Sequence, residues 1–154
     1  MRKVPTYIYG NELPDLIKSV AAYLEKALDV LETLYLSLLH GKLSNGSSKK
    51  LGVYYALGNV FLTFSNWLRD DIYGRLYDKN GEVKKSINCE DVEHIIKTIC
   101  NMKPVLVSIA DGFEKGGIDS SIVSLIINVA IVNLDSAERL LITDIRNKAC
   151  SGQD

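Results

Sequence analysis

Histidine, cysteine and proline are scarce in this 154-residue chain: two, three and three. Glutamine appears once, as Gln153, and tryptophan once, as Trp67. The histidines, His40 and His94, fall on separate helical patterns, and neither adjoins a serine or cysteine with an orienting acid. A nucleophilic triad is therefore not legible. Asp91-x-x-His94 occurs in a single copy, whereas a di-iron bundle needs inward carboxylates and two Glu-x-x-His pairs. Glu90 and His94, at i,i+4, read as a surface contact. Cys89, Cys100 and Cys150 include no C-x-x-C and have no histidine or cysteine partner at zinc spacing. On one helix Cys89 and Cys100 would stand about 16 Å apart, too far for a bridge. The three cysteines thus read as buried thiols of a reducing, cytoplasmic compartment.

Other absences narrow the function. A net charge of −1 leaves no whole-chain footprint for a polyanion. The N-terminus, MRKVPTYIYGN, lacks the apolar core of a secretory signal. No glycine-rich phosphate loop follows a strand pattern. The arginine-then-histidine spacing of HEPN-type helical ribonucleases is missing as well, because Arg69, Arg75 and Arg139 have no histidine several residues on. These exclusions predict no enzyme, no cofactor and no metal.

What the chain does have is apolar periodicity, with 47% hydrophobic residues. Leu13, Ile17, Val20, Leu24, Ala27, Leu31, Leu34 and Leu38 repeat at 4-3 spacing, the seam of a packed helix. Asn11 is its expected N-cap and Gly41 its stop. Val92, Ile95, Ile99, Met102, Leu106, Ile109 and Phe113 repeat the seam. Within that third helix Pro104 removes a hydrogen bond and crowds the Cys100 carbonyl, predicting a kink or break nearby. A fourth seam runs through Val123, Ile127, Ala130, Leu134, Ala137, Leu141 and Ile145. Its first half, IVSLIINVAIVNL, is apolar nearly all round and so needs cover on several sides. The sequence predicts an all-α fold, an antiparallel up-down-up-down four-helix bundle with long helices. An extended arm over residues 1–10, one domain over 11–149 and a frayed tail over 150–154 complete the reading.

The second helix is unusual. Leu51–Leu68 carries no charged side chain, and Leu51–Tyr77 holds seven of the chain's twelve aromatics. Asn59, Thr63, Ser65 and Asn66 argue against a membrane span there. Val53, Leu57, Val60, Phe61, Phe64, Trp67 and Leu68 form a core stripe at 100° per residue. The opposite side, Gly52, Ala56, Asn59, Thr63 and Asn66, is small and uncharged, with Tyr55 and Tyr73 alongside. Such a face suits another protein better than solvent, although the chain's own neighbours are the alternative cover. Asp71 and Arg75, i,i+4 with the acid first, project onto the extension of the core stripe and read as a surface pair at the bundle end.

The resulting expectation is a non-enzymatic interaction protein, self-associating through the uncharged face of the second helix, the apolar half of the fourth, or both. An alternative is an accessory subunit of a nucleic-acid assembly using the loop lysines Lys42, Lys49, Lys50, Lys79, Lys84 and Lys85. A third is an apolar ligand beside Phe61, Phe64 and Trp67. The single glutamine and the abundance of Ile, Leu and Lys point toward a thermophile.

Overall fold

The computed structural model describes residues 12–39, 48–115 and 120–150. Six helical segments account for nearly all of them: α1 Leu13–Leu39, α2 Ser48–Trp67, α3 Tyr73–Leu76, α4 Cys89–Lys115, α5 Ser120–Leu140 and α6 Arg146–Cys150. A π-helical turn, Leu68–Ile72, runs α2 directly into α3, and a second, Leu141–Ile145, runs α5 into α6. The four resulting rods answer to the four apolar seams, and no strand occurs among the described residues. The N-terminal arm, the Asn11 cap, Gly41, Gly116-Gly117 and the residues beyond Cys150 lie outside that description.

The seams are the core. On α1, Ile17, Val20, Leu24, Ala27 and Leu31 are fully buried. So are Val92, Ile95, Ile99 and Leu106 on α4, and Val123 through Leu134 at every seam position of α5. Each large aliphatic buried in this way contributes roughly 1.5–3 kcal/mol, and that is what holds rods with no disulfide between α1 and α2 together. α1 packs against α5 and α2, and α4 packs against α5 and α2, which closes the core on four sides. α4 is continuous from Cys89 to Lys115, so Pro104 does not break it. Its start is capped by Asn88, whose Oδ1 accepts the Asp91 N–H at 2.8 Å.

Two local devices set the connections. Where α1 crosses α2, the Tyr35 ring lies against Gly58, stacked between Tyr54 and Phe61 with centroids 5.3 and 5.7 Å away. A β-carbon at position 58 would stand 2.8 Å from Tyr35 Cε1, so this crossing needs glycine. After α3 the chain makes the small hairpin that Asn80-Gly81 signals: Tyr77 bridges Val83, and Gly81 adopts φ +81°. Asp78 Oδ1 accepts the N–H groups of Asn80 and Glu82 at 2.8 and 3.0 Å. The backbone then re-joins the helix through Lys84 N–H to Leu76 O at 2.9 Å.

The cysteines depart from expectation. Cys89, the first residue of α4, and Cys150, the last of α6, form a disulfide across 61 residues. Cys100 is free and exposed. The reading as three buried thiols is therefore corrected, and with it the cysteine argument for a reducing compartment. What the sequence lacked was a way to see that the fourth seam continues far enough to bring Cys150 beside the start of α4. No helix among the described residues is long and apolar enough to cross a membrane.

Candidate interface and a charged junction between α2 and α4

The charged junction depends on the π-helical turn after Trp67. Phe64, Leu68, Ile72 and Leu76 are all buried, yet they are spaced 4-4-4. On a straight α-helix that spacing drifts by about 120°. The wide turn at Leu68–Ile72 takes up the drift, so the core stripe continues through Ile72 and Leu76. Asp71 and Arg75, projected onto that extension by ideal α-geometry, are instead rotated beside it toward α4.

There they are not an isolated surface pair. Arg75 Nε donates to Asp71 Oδ1 at 2.8 Å, and Arg75 Nη1 also bonds Asp91. His94 Nε2 lies 2.6 Å from Asp71 Oδ2. Asp91 is the most buried of the four, with its side chain 17% exposed. Asp71 of the π-turn and Arg75 of α3 thus interleave with Asp91 and His94 from the first turns of α4. Burial pushes the Asp71 carboxyl up, but the hydrogen bonds from His94 and Arg75 outweigh it and hold the group below its ordinary value. Hydrogen bonding to Asp71 raises Arg75 in turn. Asp91-x-x-His94, which reads as chance in the sequence, is half of this network. No local signal reveals it, because the partners come from 16 and 23 residues away.

A second network ties α4 to α5. Lys103 Nζ sits 2.7 Å from Asp135 and 2.5 Å from Glu138, and Cys100 Sγ donates to Glu138 at 2.7 Å. The bond to Glu138 raises the Cys100 thiol above its usual value, which makes it a poor nucleophile despite its exposure.

The uncharged face of α2 is bare except at Ala56, which is half-buried against the core. Gly52, Tyr55, Asn59, Thr63 and Asn66 are all exposed, and Leu62 joins them. Self-burial by the described residues is therefore not the cover for this face. Tyr73 stands apart: it is half-buried, its hydroxyl is bonded to Glu25 of α1, and its ring meets Tyr77 edge-on. Burial and the Glu25 carboxylate both push its phenol up. Beside the bare face, Asn59, Val60 and Thr63 meet Thr98, Asn101, Met102 and Val105 across an open groove of about 370 Å³ between α2 and α4. The aromatics proposed to hold an apolar ligand do not line it. Phe64 is fully buried, Phe61 packs on Tyr35, and Trp67 packs tilted on Phe64 with its Nε1 buried and unpaired.

On α5, Ile122, Leu125, Val129 and Val132 are 50, 64, 42 and 59% exposed. They repeat at 3-4-3 spacing on the side away from the core, so this helix carries two apolar seams. Of the six candidate lysines, Lys79 and Lys85 are exposed near the hairpin and Lys84 is half-buried. Lys42 and the side chains of Lys49 and Lys50 lie outside the described residues. No protein-family model matches the chain, and no curated protein or solved structure is significantly similar to it.

Proposed function

We propose that the chain is a non-enzymatic interaction protein, an antiparallel up-down-up-down four-helix bundle that self-associates through the outer seam of α5. The observation that carries this reading is the exposed Ile122–Leu125–Val129–Val132 stripe. Contiguous aliphatic exposure of this kind is unfavourable in water and marks a surface that meets a partner. A second copy fits because the stripe is complementary to itself. About a two-fold axis with α5 antiparallel, Ile122 faces Val132 and Leu125 faces Val129, and no charged side chain occurs between Ser120 and Leu134 to be buried unpaired. The bare face of α2, small and amide-bearing, supplies a second contact surface in the same assembly. In this arrangement Pro104, on the exposed side of α4, bends that helix because it has no N–H to donate to the Cys100 carbonyl and its ring crowds that oxygen.

A disulfide and a cytoplasmic setting coexist in organisms whose intracellular proteins retain such bonds, chiefly hyperthermophiles. This reading joins the cytoplasmic and thermophilic expectations without appeal to reduced thiols.

Size-exclusion chromatography with light scattering tests the association. At micromolar concentration the wild-type chain is expected at a multiple of 17.1 kDa, and Leu125→Glu with Val132→Glu is expected to return it to monomer. Leu62→Glu on α2 reports the second surface. A wild-type chain that stays monomeric across that range ends the proposal.

A further inference from the structure

We propose that, once the Cys89–Cys150 bond is reduced, Cys89, Cys150 and Glu93 bind one thiophilic divalent cation of the zinc type. The ligand atoms of these three residues all lie within 4.8 Å of one another. Two adjacent turns build the cluster. Cys89 and Glu93 stand i,i+4 on one face of α4, and Arg146 and Cys150 stand i,i+4 on the facing π-turn boundary and α6. The sulfurs form one rung between the helices, and Arg146 Nη2 to Glu93 Oε1, at 3.0 Å, forms the next.

The donor set suits this chemistry. Two thiolates and a carboxylate are common zinc ligands, at about 2.3 Å for sulfur and 2.0–2.2 Å for oxygen. Sulfurs released from a disulfide part to van der Waals contact, roughly 3.7 Å, which is also their separation on a tetrahedral zinc. Cys89 is the first residue of a 27-residue helix, where unpaired N–H groups and the macrodipole favour its thiolate. Arg146 holds one oxygen of Glu93 and leaves Oε2 for the cation, the outer-shell role that orients a ligating carboxylate. An open cleft lined by Asn88, Cys89, Glu90 and Glu93 admits the ion and leaves its fourth position to water.

The chemistry balances with a dithiol as reductant. Its two thiols give two electrons and two protons to the cystine sulfurs as it closes to its own disulfide. The cation then displaces the two cysteine protons to solvent. A disulfide oxidant reverses both steps: it takes two electrons from the Cys89 and Cys150 thiolates and two protons from solvent to become a dithiol. The Cys89–Cys150 bond closes and the metal leaves, so metal and disulfide are alternative occupants of one place.

Cobalt(II) is the probe, because thiolate ligation gives it a charge-transfer absorption. Oxidised and dithiol-reduced chain, with reduced Cys89→Ser and Glu93→Gln variants, are titrated after the reductant is exchanged away, and helicity is followed by circular dichroism. The expected result is one equivalent bound by the reduced chain with thiolate absorption, none by the oxidised chain, none by Cys89→Ser, and binding weakened by roughly tenfold or more in Glu93→Gln. If reduction unfolds the chain and cobalt refolds it, the site is equally supported. The proposal is overturned if the reduced chain binds no more cobalt than Cys89→Ser, whether folded or unfolded. It is also overturned if Glu93→Gln binds as tightly as wild type.

Discussion

Asp71 is engaged on both oxygens, one by Arg75 and the other by His94, and through Arg75 it is tied to Asp91. Its side chain is about one-third exposed, 31%, so solvent screens the pairs and each contributes little alone. The consequence is a pH signature. A carboxyl held below its ordinary value stabilises the fold fully above its unfolded pKa of about 3.9 and loses that contribution as pH falls through the lower folded value. Asp71→Asn, which keeps the shape and removes the charge, is expected to cost about 1 kcal/mol at neutral pH. The gap to wild type should then close as the pH drops below about 4. Urea unfolding at pH 7 and pH 3 measures both ends. Equal stability at pH 7, or a gap that ignores pH, would remove Asp71 from its place at the centre of this junction.

At the level of the helix, the two π-helical turns explain most of what the sequence did and did not disclose. Apolar spacing alone located most of the cores of α1, α4 and α5, with Leu13, Leu38 and Met102 only half-buried, because those seams alternate fours and threes as a straight α-helix requires. It failed after Trp67. There Phe64, Leu68, Ile72 and Leu76 step by four each time, and a 100° projection put Asp71 and Arg75 where Ile72 and Leu76 are. The junction with Asp91 and His94 was illegible for the same reason, since a one-residue rotation aims both charges at α4. The bare face of α2 was legible, being a property of one helix. Its exposure was not, because that depends on what the other rods leave uncovered. A π-turn is equivalent to one residue inserted into an α-helix, and that makes a test. Deleting exposed Asp70 converts 4-4-4 into 4-3-4, the ordinary seam, and keeps Ile72 and Leu76 inside. Deleting Thr63, exposed but within regular α2, turns every later core residue off its face. Thermal melts should show the Asp70 deletion folded and close to wild type and the Thr63 deletion severely destabilised; comparable losses from both would contradict this account of the turn.

Across the whole molecule, the disulfide is the strongest single constraint. Closing a loop with a sequence separation of 61 removes about 4 kcal/mol of unfolded-state freedom in the chain-entropy account. Reduction, or Cys150→Ala, should therefore lower the melting temperature by roughly 10 °C for a domain of this size. A melt unchanged by reductant would show that the bond does not bear on global stability. The bond also divides the chain in a way no helix boundary does. It gathers α4, α5 and α6 into a closed ring and leaves α1, α2 and α3 as an open tail. If the two chain ends were pulled apart, tension would pass from Cys89 to Cys150 through sulfur, bypassing the ring. Some 200 Å of extended backbone would stay out of the load path, and α1 and α2 would bear the force. With the bond closed those residues cannot lengthen under load, and reduction would release them.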